Sequence, residues 1–356
     1  MAFKLFTSLL PLAGGLVLFC LGCAKDSTAG GAAGQTGTAT QEVTEAVTLQ
    51  GSGASFPAPI YSRWFREFST KAPNVRVNYQ ATGSGAGVKA FIEGQTDFGA
   101  SDAAMTDDEI KQANGNVSLI PVTAGNIVLG YNLPDVKAIK LSRKAYVGIF
   151  LGEIKKWNDP EIAKANPDVK LPETDITVVH RSDGSGTTFV FTQHLAAISD
   201  AWKPGKGTSI EWPVGVGGRK NDGVAALIAQ TPGSIGYIEY AFAVSSKMTM
   251  ASLENKAGKF VEPTLAASKK ALEGVDLPPD LRAWATDPVG EESYPIVTYT
   301  WILAKKDYPE DAKAAAVKKL LTWCLTDGQA LSEELHYVPL PEAVAKKVLE
   351  AVNAIK

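Results

Sequence analysis

Arg181 heads the stretch "RSDGSGTTFVF" (residues 181–191), in which an aspartate, glycines, serines and threonines precede an apolar run. Three kinds of chemistry could use it: a nucleophilic serine with an acid, a loop around a nucleotide phosphate, or a cage for a small anion. "GSGASFPAPIYSRWF" (51–65) and "TGSGAGVKAFIEG" (82–94) have the same texture. In each, small hydroxyl residues and glycines stand before an amphipathic helix, whose first backbone N–H groups lie at the positive end of the helix dipole. Each alone is a weak anion site. Ser55 and Phe56 precede Pro57, a residue suited to the first helical position. Ser84 sits among Gly83, Gly85 and Gly87. Arg181, at the end of the strand expected for "TVVHR", can present a planar fork to an oxyanion, with Asp183 holding it. In "GQTDFGASDAAMTDDEI" a short apolar run ends at Ser101 and Asp102, and "MTDDEI" opens another helix as a capping sequence. A carboxylate at Asp102 repels an oxyanion unless the anion has a proton to donate, a condition that separates hydrogen phosphate from sulfate. The ordinary alternatives are a serine cap at Ser55, a surface ion pair at Arg181 and Asp183, and a further cap at Asp102.

The enzymatic readings fail on spacing. A serine hydrolase elbow is G-x-S-x-G, but Thr82 and Asp183 stand two residues before Ser84 and Ser185. The three histidines, His180, His194 and His336, are scattered, and His180 lies on a strand pattern whose successive side chains alternate in direction. Neither "GAGVKA" nor "GKGTS" completes a phosphate-binding P-loop, and the G-x-G around Ser84 lacks the acidic residue of a dinucleotide fingerprint. With no cysteine pair, the histidines form no metal cluster. A cage without a reagent survives: no catalytic residue, cofactor or metal is expected.

The elements that must position this cage belong to a chain of 356 residues, 45% hydrophobic and 8% aromatic, long enough for two domains. Its formal charge of -3, without a run of like charges, speaks against a nucleic-acid partner. Short β-rich runs at 75–79, 175–180, 233–244 and 293–304 alternate with helical patterns such as "PIYSRWFREFSTKA" and "DGVAALIAQ", the signature of α/β sheets with helices on their faces. Proline- and glycine-rich joints near 121–126 and 292–297 are candidate crossings between domains. At the N-terminus Lys4 precedes a broken apolar stretch shorter than a bilayer span, which reads as an export signal. Its end, "CLGCAKD", resembles a lipoprotein processing box in which Gly22 precedes a lipid-bearing Cys23, although Cys20 stands where leucine is usual. Residues 24–47 read as a tether, and Cys324 as a buried small hydrophobe in a helix.

Six segments together, "GSGASFPAPIYSRW", "YQATGSGAGVKAFI", "DFGASDAAM", "VVHRSDGSGTTFVFT", "LGEIKKWNDPEIAKANP" and "GGRKNDGVAALIAQTPGSIGYIEYA", resemble the phosphate-binding subunits of ABC-type phosphate uptake systems, which are periplasmic substrate-binding proteins. The resemblance runs in order from about residue 49 to the C-terminus. It implies an α/β, two-domain type II periplasmic-binding-protein fold, with the ligand cleft between domains and two hinge crossings. The organisation expected is a lipoprotein-type signal at 1–23, a tether at 24–47, a discontinuous domain I of 48–124 plus 295–356, and domain II of 125–294. The family pattern puts phosphate contacts at Ser55, Phe56, Ser84, Asp102, Arg181, Ser185, Gly186 and Thr187, with Asp183 supporting the arginine. Ser55 is commonly threonine in the family, and His180 stands where a second arginine is frequent. The implied function is phosphate binding outside the cytoplasmic membrane by a non-enzymatic monomer, anchored through Cys23, that delivers phosphate to an ABC permease. A receptor for sulfate or molybdate and a phosphate-ester hydrolase are the competing readings.

Overall fold

β-Branched and aromatic runs alternate with glycine-led helices from Val47 onward, and the computed structural model describes residues 46–356. The export signal, Cys23 and nearly all of the tether fall outside the described residues; β1 begins at Val47, one residue before the expected start of domain I. Strands β1 (Val47–Gly53), β2 (Val75–Ala81) and β3 (Phe98–Ser101) run parallel, joined through helices α1 (Ala58–Lys71) and α2 (Ser84–Ile92). Parallel neighbours require such crossovers, because a hairpin turn can only reverse a strand. Helix α1 buries Ile60, Tyr61, Trp64, Phe65 and Phe68, spacings that gather on one face of a helix. Pro57 sits at its N-cap, one position earlier than expected, and Ala58 opens the helix. Helix α3 (Asp107–Gln112) begins with the anticipated capping box, in which the Glu109 N–H donates to Thr106 Oγ1 and the Thr106 N–H to the Glu109 carboxylate.

The second half is built the same way. After β4 (Ser118–Tyr131), β5 (Lys140–Leu141) and helices α4 (Arg143–Leu151) and α5 (Pro160–Ala165) come β6 (Thr177–Arg181), α6 (Gly186–Ile198), β7 (Val216–Gly218), α7 (Lys220–Gln230) and β8 (Ser234–Glu239). Strand β6 runs parallel to both β7 and β8. The run 233–244, read as one β segment, divides: the strand stops at Glu239, whose carboxylate accepts from the Ala241 and Phe242 N–H groups and so starts α8 (Tyr240–Ser245). An N-cap acceptor at that point satisfies donors that no strand partner reaches.

Short strands β9 (Thr249–Met250), β10 (Ser252–Glu254) and β11 (Phe260–Val261) and helix α9 (Leu265–Leu272) lead back to β12 (Val297–Ala304), α10 (Asp311–Leu325) and α11 (Glu342–Asn353). Among the described residues, one sheet path runs β2-β1-β3-β12-β4-β8-β6-β7. Strand β4 serves both halves: Ser118 to Asn126 pair with β12, and Ile127 to Tyr131 pair with β8. The register of β12 against β4 shifts between Thr300 and Trp301, where β4 carries one extra residue. Cys324 is buried in α10, as expected. No helix of the described residues is long and apolar enough to cross a membrane.

Candidate functional site

In open α/β sheets, ligand sites form beyond the carboxyl ends of parallel strands. Here both halves place their chemistry there. In the first half β1 runs into Ser55 and Phe56, β2 into Gly83 and Ser84, and β3 into Asp102; in the second, β6 ends at Arg181, β7 leads to Asn221, and β8 ends at Glu239. The two sets face each other across short contacts. The Gly85 N–H donates to the Gly184 carbonyl at 3.0 Å, and Asn221 Nδ2 donates to Ser55 Oγ at 3.1 Å. A Cβ on Gly186 would lie 2.7 Å from both Ser84 Oγ and the Asp102 Cβ, so this approach requires glycine. Gly83, at φ +101° and against the Asp183 carboxylate, is held to glycine twice over.

The expected contact residues converge. Asp102 is 1% exposed; Thr300 Oγ1 donates to its Oδ1 at 2.8 Å, and Ser84 Oγ lies 3.3 Å from both its Oδ2 and its N–H. Burial pushes the Asp102 carboxyl up to about 7, against the opposing pull of the Thr300 bond, the Arg181 charge and Ser84. Arg181, 4% exposed, donates from Nε and Nη2 to the two Asp183 oxygens at 2.8 and 2.6 Å, a planar two-point pairing. The surface ion pair is therefore excluded. Burial raises the Asp183 carboxyl, but the Arg181 fork and the Lys220 N–H outweigh it and hold Asp183 below its ordinary value. Arg181 Nη1 lies 3.4 Å from Thr187 Oγ1, and the Arg181 N–H donates to Tyr237 Oη at 3.0 Å.

Ser185 caps α6: its Oγ accepts from the Thr188 N–H, while its own N–H donates to the Thr208 carbonyl. Its hydroxyl proton, rather than its amide, is what it can offer. Phe56 packs its ring edge-on to Tyr337, whose hydroxyl donates to the Phe56 carbonyl at 2.7 Å, which leaves the amide of Phe56 as its polar contribution. His180 stacks on Trp212 with ring centroids 5.0 Å apart, and His194 contacts the Tyr146 hydroxyl, so both imidazoles are engaged by aromatic side chains rather than by Ser84 or Ser185. Among the described residues no group of three or more His, Cys, Asp or Glu side chains could hold a metal ion.

Four participants escaped the sequence reading. Thr300 reaches Asp102 from 198 positions away and Asn221 reaches Ser55 from 166, separations without a local pattern. Tyr237, bridging the Arg181 N–H and Thr188 Oγ1, and Glu239, buried and pushed well above the carboxylate range by desolvation, lay within a run that reads as plain strand. Asn221 did lie in a quoted segment, but beside the start of a helix an asparagine reads as a cap.

Comparison with known proteins agrees with this geometry. The profile of the PBP superfamily domain matches residues 31–327. The phosphate-binding protein PstS of Pasteurella multocida is 42% identical over 311 residues, covering 86% of this chain and 90% of the relative. That of Haemophilus influenzae is 42% identical over 320 residues, with coverages of 85% and 92%. Among solved structures, a high affinity periplasmic phosphate-binding protein (PfluDING) bound with phosphate superposes with a TM-score of 0.72 at 22% identity, covering 85% of this chain and 93% of that one. The architecture is thus α/β, of the two-domain type II periplasmic-binding kind.

Proposed function

The chain belongs to the PBP superfamily and, within it, to the family of the phosphate-binding protein PstS, and from that premise we propose that it binds inorganic phosphate outside the cytoplasmic membrane for import by an ABC permease. The observation that carries the reading is the pairing, in one buried place, of a guanidinium neutralised by Asp183 with a carboxyl poised near neutrality at Asp102. Such a site has little net charge to offer an anion. Its affinity comes from hydrogen bonds, each worth roughly 1.5 to 3 kcal/mol when one partner is charged. The donors are the hydroxyls of Ser55, Ser84, Ser185 and Thr187, the amides of Phe56 and Gly186, and the Arg181 nitrogens left over from Asp183.

Asp102 supplies selectivity. Thr300 occupies Oδ1, which leaves Oδ2, beside Ser84, as the oxygen that would share one proton with the phosphate. Sulfate brings no such proton and sets lone pairs against Asp102 wherever that carboxyl is ionised, so discrimination sharpens as pH rises above about 7. A site built to hydrogen-bond one group rejects the analogue lacking it by roughly 10⁴ to 10⁵. This disfavours the sulfate and molybdate readings.

The domains are 48–124 plus 295–356 and 125–294, a division supported by the change of partner along β4 at Asn126 and Ile127 and by the start of β12 at Val297. Their closure over the ligand is the signal a permease would read. Export and a lipid anchor at Cys23, with a tether ending before Val47, which already pairs in β1, complete the account, and the protein is a monomeric receptor rather than an enzyme. Calorimetric titration of phosphate into the mature chain, freed of ligand by unfolding and refolding, tests it: one-to-one binding with no turnover of a chromogenic phosphate ester is expected. Ester turnover, or no binding, contradicts it.

A further inference from the structure

Asn221 is fully buried beside the anion-contact residues, and its side chain joins the two halves. The backbone N–H of Glu239 donates to Asn221 Oδ1 at 3.2 Å. A backbone N–H can only donate, so the oxygen end of the amide is fixed there and the NH₂ end must face Ser55. An amide NH₂ in turn only donates, so Ser55 Oγ accepts at 3.1 Å, and its single proton is directed away from Asn221. Among the described residues that proton has no acceptor.

The backbone that delivers Asn221 is itself unusual. Lys220, immediately before it, has φ +59°, a left-handed conformation that a lysine rarely adopts. The N–H of this same Lys220 donates to Asp183 Oδ1 at 2.9 Å, and Asp183 holds Arg181. One strained turn therefore sets both the guanidinium of the second half and the hydroxyl direction of the first.

We propose that Asn221 is a positioning residue for the ligand: it forces the Ser55 hydroxyl to act as a donor toward the bound anion and latches the halves together when the cleft is closed. The inference rests on the phosphate reading above. A plain structural amide would satisfy the Glu239 N–H equally well, but its removal would weaken binding whether or not Ser55 carries a hydroxyl.

The test is a double-mutant cycle in the full mature chain, with inorganic phosphate as the probe and Kd and dissociation rate as readouts. Asn221→Ala is expected to weaken phosphate binding roughly 10- to 100-fold, mainly through faster dissociation, as removal of a charge-assisted contact does. Ser55→Ala should weaken it by a similar factor, and the double variant no further than the weaker single one. Ser55→Thr, which keeps the hydroxyl, should retain the sensitivity to Asn221. Should Asn221→Ala fail to fold, Asn221→Ser is read in the same cycle. An additive cycle, or unchanged binding on removing the Asn221 amide, overturns the proposal while leaving the phosphate reading intact. Failure of the parent to bind phosphate overturns the reading itself, and the proposal with it.

Discussion

At the scale of the residue, Asp102 is the group on which the account turns. Burial raises its carboxyl from 3.8 to about 7 in the folded chain, so between those values the folded state holds a proton that the unfolded state has released. Stability of the phosphate-free protein then carries a penalty that is absent near pH 4, grows as pH rises, and levels off above about 7. Asp102→Asn removes it. The variant should be more stable than the parent at about pH 8, by on the order of a few kcal/mol, and so melt at a higher temperature, with the difference shrinking toward pH 4. Melting curves of both ligand-free proteins check this, and a gap independent of pH contradicts it. Buried Glu239 is itself pushed up in part by the Asp102 charge, so the difference between the two curves reports Asp102 together with its effect on Glu239. That Asp102 lies among these hydroxyls and amides was legible from the sequence; the role proposed for it follows from a carboxylate among anion donors making sense only with a proton in play. Thr300, which donates to the carboxylate, was not legible, because it comes from a strand 198 positions away with no local pattern linking the two.

Among the elements, the strand-end loops bring the two halves into contact, and their glycines mark where the approach is tightest. Gly186→Ala would set a methyl group 2.7 Å from Ser84 Oγ and the Asp102 Cβ, atoms of the opposite half. The clash exists only when the halves are together. Phosphate affinity should fall by about 100-fold or more, while the melting temperature without ligand changes by only a few degrees. A large loss of ligand-free stability would mean that the contact belongs to the core of the fold. Thr106→Ala is the control: it breaks a capping box in exposed α3 and should cost about 1 kcal/mol in denaturant unfolding while leaving phosphate binding untouched. Lowered affinity in that variant would show that α3 helps position Asp102. Most of these elements could be read from the chain, since glycine, hydroxyl and apolar periodicity mark where a strand gives way to a helix. The boundary at Glu239 could not. "GSIGYIEYAFAV" is apolar and aromatic throughout, and periodicity does not separate strand from buried helix in such a run; the carboxylate that accepts from Ala241 and Phe242 decides it.

In the whole molecule, two similar α/β halves present the carboxyl ends of their parallel strands to each other, with β4 and β12 carrying the chain between them. Nothing in that architecture dictates which anion is held; the proposed function puts the choice in a single protonable oxygen beside a neutralised arginine. Competition between phosphate and sulfate, measured by calorimetry near neutral pH in the parent and in Asp102→Asn, tests this most directly. The account predicts that the parent binds phosphate one-to-one and that a large excess of sulfate does not displace it, whereas in the variant the two anions compete within about tenfold of each other. Displacement of phosphate by sulfate from the parent, or a preference for phosphate that survives intact in Asp102→Asn, would contradict it.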